Sequence, residues 1–351
     1  MNFLSFLKWI IVGIFMVLSI TLFAAPKNEY ESEAQQVIAE LYHTLHKTPK
    51  LDMLKRIDAI SAKFLNKPYL LGALGEGSQG DYDQNPLYRT DAFDCLTYVE
   101  TVLAIAFSPD LETFNQCLRK LRYQNGKISF ITRNHFTSVD WNLNNQKQGF
   151  IKDITTKFKN KKNQPVAKIA YALINKPGWY QHFTVDDLRL KGDATELNKR
   201  LDALKHEGNK LSVVKSFVPY IPLTTLFDRT GRANDFLFKQ IPNGAIIEIV
   251  RPNWDLRKEI GTCLNISHLG FAFWKNGTLV FRQASSNYGK TVEVSLIDYL
   301  HDALASPTIK GINVQIILPQ HTLGRNCRAL QQPNDAGLSI SLKSNNTYPL
   351  Q

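Results

Sequence analysis

Thirteen consecutive residues, 95–107, are apolar almost all the way round a helix: Leu96, Val99, Val102, Leu103, Ile105 and Phe107 leave no wide polar face for solvent. Such a helix has to be buried on every side, so the rest of the chain must supply layers around it. Asp94 stands where an N-cap belongs, and Ser108-Pro109 stops the helix because a residue before proline avoids the α region. Asp110 is placed to cap a second helix over 111–123, whose Leu111, Phe114, Cys117, Leu118 and Leu121 share one face. Two amphipathic helices are expected earlier, over 31–47 and 51–65, the second marked by Leu54, Ile57, Ile60 and Phe64. A glycine-rich loop over 66–92 then delivers the chain to Asp94. The first half of the molecule reads as helical.

The last third changes period. Residues 245–250, 268–274 and 278–283 are short runs rich in apolar and aromatic side chains and read as strands. Lys275-Asn276-Gly277-Thr278 joins two of them through Asn-Gly, the pair that best tolerates the two positive φ angles of a type I′ turn. If Lys275 pairs with Thr278, counting back sets Gly270 opposite Gln283 and His268 opposite Ser285. His268 and Gln283 then become diagonal neighbours on one face, roughly 7 Å apart at Cβ, with Gly270 leaving room between them. Arg282 falls opposite Phe271 and points to the other side.

Between these halves the pattern is weaker. Strands are expected near 128–132, an exposed lysine-rich stretch over 152–162 and a polar helix over 193–206. At the start, Lys8 precedes an apolar run over 9–23 that closes on Ala24, Ala25 and Pro26, the pattern of an export signal and short for a membrane span of roughly 20 residues. The expected organisation is a signal peptide over 1–25, one domain over 26–320 with a helical, basic insertion around 150–240, and a polar tail over 321–351. The chain is then periplasmic or secreted, with no stable membrane association after cleavage.

Lysine and arginine number 42 against 31 aspartate and glutamate, a formal net charge of +11. A basic exported protein meets anionic polymers of the cell envelope. Nucleic acid is set aside as a partner, because no basic recognition motif interleaved with aromatics is present. Four cysteines, Cys95, Cys117, Cys263 and Cys327, show neither a regular disulfide framework nor a Cys-x-x-Cys pair. Cys117 reads as core, and Cys263 with Cys327 is the expected disulfide if one forms. The eight histidines show no His-Glu-x-x-His spacing, so neither a metal nor another cofactor is expected.

Cys95 lies in the first turn of its helix, where unpaired N–H groups and the positive end of the helix dipole favour a thiolate. His268 is the candidate base, and Gln283 the group that holds its imidazole, while the Cys95 backbone N–H can donate to a developing oxyanion. Read alone, Cys95 is equally a small buried apolar residue, and His268 and Gln283 are ordinary strand residues. Their shared face gives the trio its meaning.

At these residues a family resemblance enters. Asp91-Ala92-Phe93-Asp94-Cys95-Leu96-Thr97-Tyr98-Val99-Glu100 resembles the Phe-Asp-Cys-x-Thr-Phe-Val-Glu signature of a branch of NlpC-type cell-wall amidases. Ser267-His268-Leu269-Gly270-Phe271-Ala272 and Gln283-Ala284-Ser285-Ser286 are similar to that family's Ser-His-Val-Gly-Ile-Ala and His-Ala-Ser-Ser elements, in the same order. The resemblance implies a papain-like α+β fold, with the cysteine at a helix start packed on an antiparallel sheet that carries the histidine. It implies hydrolysis between N-acetylmuramic acid and L-alanine in peptidoglycan fragments (muropeptides), anhydro forms included. It also carries over Arg133 and His135, with Asp94, as substrate contacts. Two departures stand out. Gln283 replaces the family's usual histidine, which bears on activity and its pH dependence, and Asn243-Gly244-Ala245 replaces Asp-Gly-Asp before the strand at Ile246. Two other readings stay open on the same residues: a stem-peptide endopeptidase, and a wall-binding protein that has lost catalysis. The oligomeric state is not legible.

Overall fold

The computed structural model describes residues 27–47, 52–319 and 322–328, so the expected signal peptide and most of the polar tail lie outside the described residues. Four helices come first: α1 (Lys27–His46), α2 (Met53–Lys63), α3 (Cys95–Phe107) and α4 (Leu111–Arg122). A short α5 (Asn142–Lys147) leads to β1 (Ile151–Asp153) and β2 (Lys168–Asn175), then α6 (Lys176–His182), α7 (Ala194–Asn209) and β3 (Val213–Pro222). Two single turns, α8 (Leu223–Leu226) and α9 (Asp235–Phe238), precede β4 (Ala245–Leu256), α10 (Arg257–Ile260) and β5 (Thr262–Lys275). The described chain closes through β6 (Thr278–Ser285), β7 (Lys290–Ser295), α11 (Leu296–Asp302) and β8 (Gly311–Ile317).

All eight strands join one antiparallel sheet in the order β2-β3-β8-β4-β5-β6-β7, with β1 also paired to β8. The fold is therefore mixed α+β on an antiparallel sheet. One sheet face carries Ile246, Leu269, Phe271, Phe273 and Ala284 into a core shared with α1 to α4. The other carries Ile247, Ile249, Ala272, Phe281 and Val314 into a second core closed by α8, α9 and α11. Burying α3 between three helices and the sheet is what its apolar sequence demands, since each fully buried Leu, Val or Phe contributes about 1.5–3 kcal/mol.

Both ends of α3 are satisfied by specific partners. At the start, Asp94 accepts a hydrogen bond from Thr97 N at 2.8 Å while Thr97 Oγ1 accepts from Asp94 N at 3.0 Å, a reciprocal cap. At the far end the buried Arg56 of α2 donates from Nε to Ala106 O at 2.8 Å and from Nη2 to Ser108 O at 2.7 Å. Those carbonyls have no partner inside the helix, and a cation suits the negative end of its dipole. Tyr98 donates to Ser61 O at 2.9 Å, fixing α3 against α2 a second time.

The hairpin register follows the count from the turn. Asn276 and Gly277 have φ of 50° and 82°, Lys275 pairs with Thr278, and the ladder runs back to Phe271 opposite Arg282. Residues 128–132 depart from expectation: they form a turn in which Ser129 O accepts from Thr132 N, not a strand. Phe130 is drawn there into an aromatic cluster with Trp179, Tyr180 and Phe183, and tertiary packing overrides its β propensity. The β2–β3 ribbon was not legible because its strands carry apolar residues on both sides. Ala170, Ala172 and Ile174 face inward while Ile169, Tyr171 and Leu173 are exposed, so polar alternation is missing.

The disulfide also differs. Cys117 of α4 is bonded to Cys327, with Cα atoms 4.5 Å apart, and Cys263 at the start of β5 is a free thiol among Phe136, Val139 and Ile174. The pairing is set by residues 322–328 returning over the α3–α4 corner, where Gly324 N donates to Phe107 O at 2.7 Å. Cys117 is core, as its helical face indicates, and cross-linked as well. The bridge spans 210 residues of sequence, so Cys117→Ser is expected to lower unfolding free energy by about 2–5 kcal/mol in non-reducing denaturant titration. Cys263→Ser is expected to change it by less than about 1 kcal/mol, and equal losses in the two variants would contradict the assignment.

Candidate active site

Cys95 opens α3 as its first residue, directly after the capping Asp94. Its thiol meets the backbone N–H of Leu269 on β5, the residue that follows His268. Burial pushes the phenols of Tyr69 and Tyr299 up to about 12, and both lie close enough for a charge on the Cys95 sulfur to add to the rise. Helix start and central strand thus converge on one point.

His268 stands on an irregular stretch of β5. Ile249 of β4 pairs with His268, yet the next pair is Val250 with Ile266, which leaves Ser267 as an extra residue on β5. Two residues further along β4 the imbalance reverses: Val250 pairs with Ile266 and Trp254 with Leu264, leaving two extra residues within 251–253. Bulges of this kind re-aim side chains next to functional sites. Here they flank His268 on both strands.

The His268 Nε2 is hydrogen-bonded to Gln283 Oε1. An amide oxygen only accepts, so this bond places the ring proton on Nε2 and leaves Nδ1 as the free acceptor. Gly270 makes the contact possible. A Cβ added there would stand 2.9 Å from Gln283 Cβ and 2.7 Å from Arg282 O, forcing the strands apart. Gln283 is wholly buried, and its Nε2 has no partner among the described residues. The rings of Phe281 and Tyr299 wall the imidazole at 5.9 and 6.4 Å between centroids.

Electrostatics differ from the simple helix-dipole expectation. Burial, with the Asp94 carboxylate beside it, pushes the Cys95 thiol up to about 12, against the lowering effect of N–H groups from Leu269, Leu96 and Cys95 itself. Burial pulls the His268 imidazole down to about 4 despite its bond to Gln283. At neutral pH the resting pair is therefore a thiol beside a neutral imidazole.

The remaining sequence candidates gather on one side of Cys95. Asp94, Arg133 and His135 line a cavity of about 120 Å³ together with Gly72, Leu96 and Thr97. Asp94 has both carboxylate oxygens engaged, one by Thr97 N and the other by Gly72 N at 2.9 Å, so it acts first as a cap. Arg133 is held by Glu76 and by Asp83 at 3.1 Å, and His135 Nε2 donates to Phe130 O at 2.7 Å. Their charged and polar atoms are largely spent inside the protein. Arg282 lies on the opposite sheet face from Gln283, bonded to Glu293, Ser61 Oγ at 2.6 Å and Asp58. It is a structural cation tying β6 to α2 and β7.

Tyr299, Tyr69 and the two bulges escaped the sequence reading. Nothing in hydrophobic period marks an extra residue within a strand, and a tyrosine on a short amphipathic helix looks like packing. Among the described residues no group of three or more His, Cys, Asp or Glu side chains is arranged to hold a metal ion.

A family model described as AmiA-like, N-acetylmuramoyl-L-alanine amidase-like, matches residues 59–309. A crystal structure of a protein from Legionella pneumophila str. Philadelphia 1 is 56% identical and aligns over 85% of this chain and 99% of its own, with a TM-score of 0.82. Two crystal structures of an N-acetylmuramoyl-L-alanine amidase from Bacteroides uniformis ATCC 8492 are 23% and 25% identical over 76% of this chain, covering 99% and 98% of theirs, with TM-scores of 0.53 and 0.52. No curated protein sequence matches the chain.

A raised thiol has a direct signature. Alkylation of Cys95 by iodoacetamide, followed by peptide mass spectrometry, is expected to stay slow at pH 6–7 and to rise continuously beyond pH 9. A rate that levels off below pH 7 would mean a preformed thiolate instead.

Proposed function

The chain belongs to the N-acetylmuramoyl-L-alanine amidase-like family, and from that premise we propose that it is a cysteine amidase of the NlpC-type, papain-like branch that cleaves muropeptides between N-acetylmuramic acid and L-alanine. The observation that carries this reading is the His268–Gln283 hydrogen bond beside the thiol at the start of α3. In the proposed cycle Nδ1 of His268 takes the Cys95 proton as the sulfur attacks the amide carbonyl. The Cys95 backbone N–H donates to the oxyanion. The imidazolium then protonates the departing alanine amine, and water releases the muramoyl group from the thioester. Because thiol and imidazole both start neutral, proton transfer accompanies attack rather than preceding it.

Gln283 orients the ring and fixes its tautomer, the role a neutral third member can fill. Asp94, Arg133 and His135 are assigned to the substrate-facing wall, acting through the cavity they line. The same proposal takes residues 1–25 as a signal peptide, 26–320 as one domain with an insertion around 150–240, and 321–351 as a tail. It puts the mature enzyme in the periplasm or outside the cell. No helix of the described residues is long and apolar enough to cross a membrane.

Mass spectrometry of defined muropeptides tests both nucleophile and bond. The wild type is expected to release free peptide and peptide-free muramic acid sugars, and Cys95→Ala to release neither. Products cut within the stem peptide would replace this reading with an endopeptidase. Gln283→Ala is expected to lower kcat about 10–100-fold while leaving KM within about threefold. The pH profile provides an independent check. An imidazole lowered to about 4 stays neutral, and competent as a base, down to that pH, so kcat/KM is expected to fall only below about pH 5. An acid limb near the unperturbed histidine value of about 6.5 would contradict it.

A further inference from the structure

A second cavity, larger than the one beside Arg133 at about 540 Å³, is lined by Arg251, Tyr288, Ser295, Asp298, Tyr299 and Asp302 among others. Tyr299 belongs to its wall and to that of His268, so the cavity opens next to the reacting centre. Arg251 sits in the β4 bulge, two residues beyond Ile249, which pairs with His268. At about 3.4 Å per residue this sets it roughly 7 Å along the strand from the histidine.

Arg251 is a half-buried cation without an anion. Its Nη1 donates to Thr308 Oγ1 at 3.2 Å, and its guanidinium carbon lies 4.3 Å above the Trp254 ring. Its Nε is fully buried and has no partner among the described residues. No carboxylate acts on it, the one group that favours its charge being Tyr299, while burial opposes that charge. Arg56, Arg89, Arg122 and Arg282, the buried arginines among the described residues, and the part-buried Arg133 all donate to carbonyls or carboxylates. A guanidinium on a cavity wall that meets no carboxylate of its own among the described residues is suited to a planar carboxylate from a ligand.

We propose that Arg251 forms a carboxylate-recognition site for the peptide half of the substrate, next to the bond that Cys95 attacks. The proposal rests on the muramoyl–alanine reading and adds a direction to it. In that substrate the sugar half has its only carboxyl within the scissile amide, so a free carboxylate comes from the peptide alone. The Tyr299 side then receives the peptide, and the Asp94 side the sugar. Asp298 and Asp302 line the same cavity and repel a diffuse polyanion, which favours one small carboxylate over a phosphate-rich polymer.

Two muramyl tripeptides test it, both amidated at the C-terminus and both linked through the γ-carboxyl of a glutamate as second residue, whose α-carboxyl is free in one and a carboxamide in the other. The wild type is expected to favour the free acid about 10–100-fold in kcat/KM, mostly through KM. Arg251→Gln is expected to lose that preference, its kcat/KM for the free acid falling to its own value for the amidated substrate, and Arg251→Lys to keep part of it. Wild-type cleavage of both substrates at equal rates, or a preference that survives in Arg251→Gln, would overturn the site. If neither substrate is cleaved, the amidase reading fails separately. Calorimetry of Cys95→Ala with the same pair still decides the carboxylate site, since tighter binding of the free acid supports it and equal affinity overturns it.

Discussion

The carboxylate of Asp94 joins the start of the buried helix α3 to the loop that crosses it. One oxygen closes the first turn of α3 on Thr97, and the other receives Gly72 N from the loop that crosses the helix start. A buried helix with an open first turn would expose four unpaired N–H groups to an apolar interior. Asp94 removes part of that cost and fixes where Cys95 begins. The same negative charge then works against ionisation of the thiol beside it. Structural and chemical demands on this position oppose each other, and burial settles the balance in favour of a neutral sulfur.

Most of the frame was legible because its elements obey one period each. The apolar run over 95–107, with Asp94 before it and Ser108-Pro109 after it, specifies a buried helix without reference to anything else. Asn276-Gly277 fixes a turn type, and a turn type fixes a register, so Gln283 rather than Arg282 faces His268. The features that escaped are those with no local signature. Ser267 is an extra residue only relative to β4, and the bulge holding Arg251 exists only relative to β5. Cys117 gave its helical face but not its partner, because the return of residues 322–328 is decided by packing over α3 and α4. Phe130 has the sequence of a strand residue and the environment of an aromatic cluster.

Two sorts of arginine separate the scaffold from the site. Arg56 and Arg282 end helices or tie strands, and removing either would strand carbonyls or carboxylates in the interior. Arg251 completes nothing of that kind. Half-buried on a cavity wall, it is held by one hydroxyl and one ring face, those of Thr308 and Trp254.

The cross-link between Cys117 and Cys327 has a meaning beyond its strength. Its second cysteine, Cys327, follows every strand of the described residues, so the bond can close only once the chain has emerged past that sheet. A chain kept in a reducing solution must therefore hold residues 322–328 by hydrogen bonds and packing alone, while oxidising conditions hold the same segment covalently. Redox conditions thus set how the chain's return over α3 and α4 is held, by a covalent tether or by contacts alone.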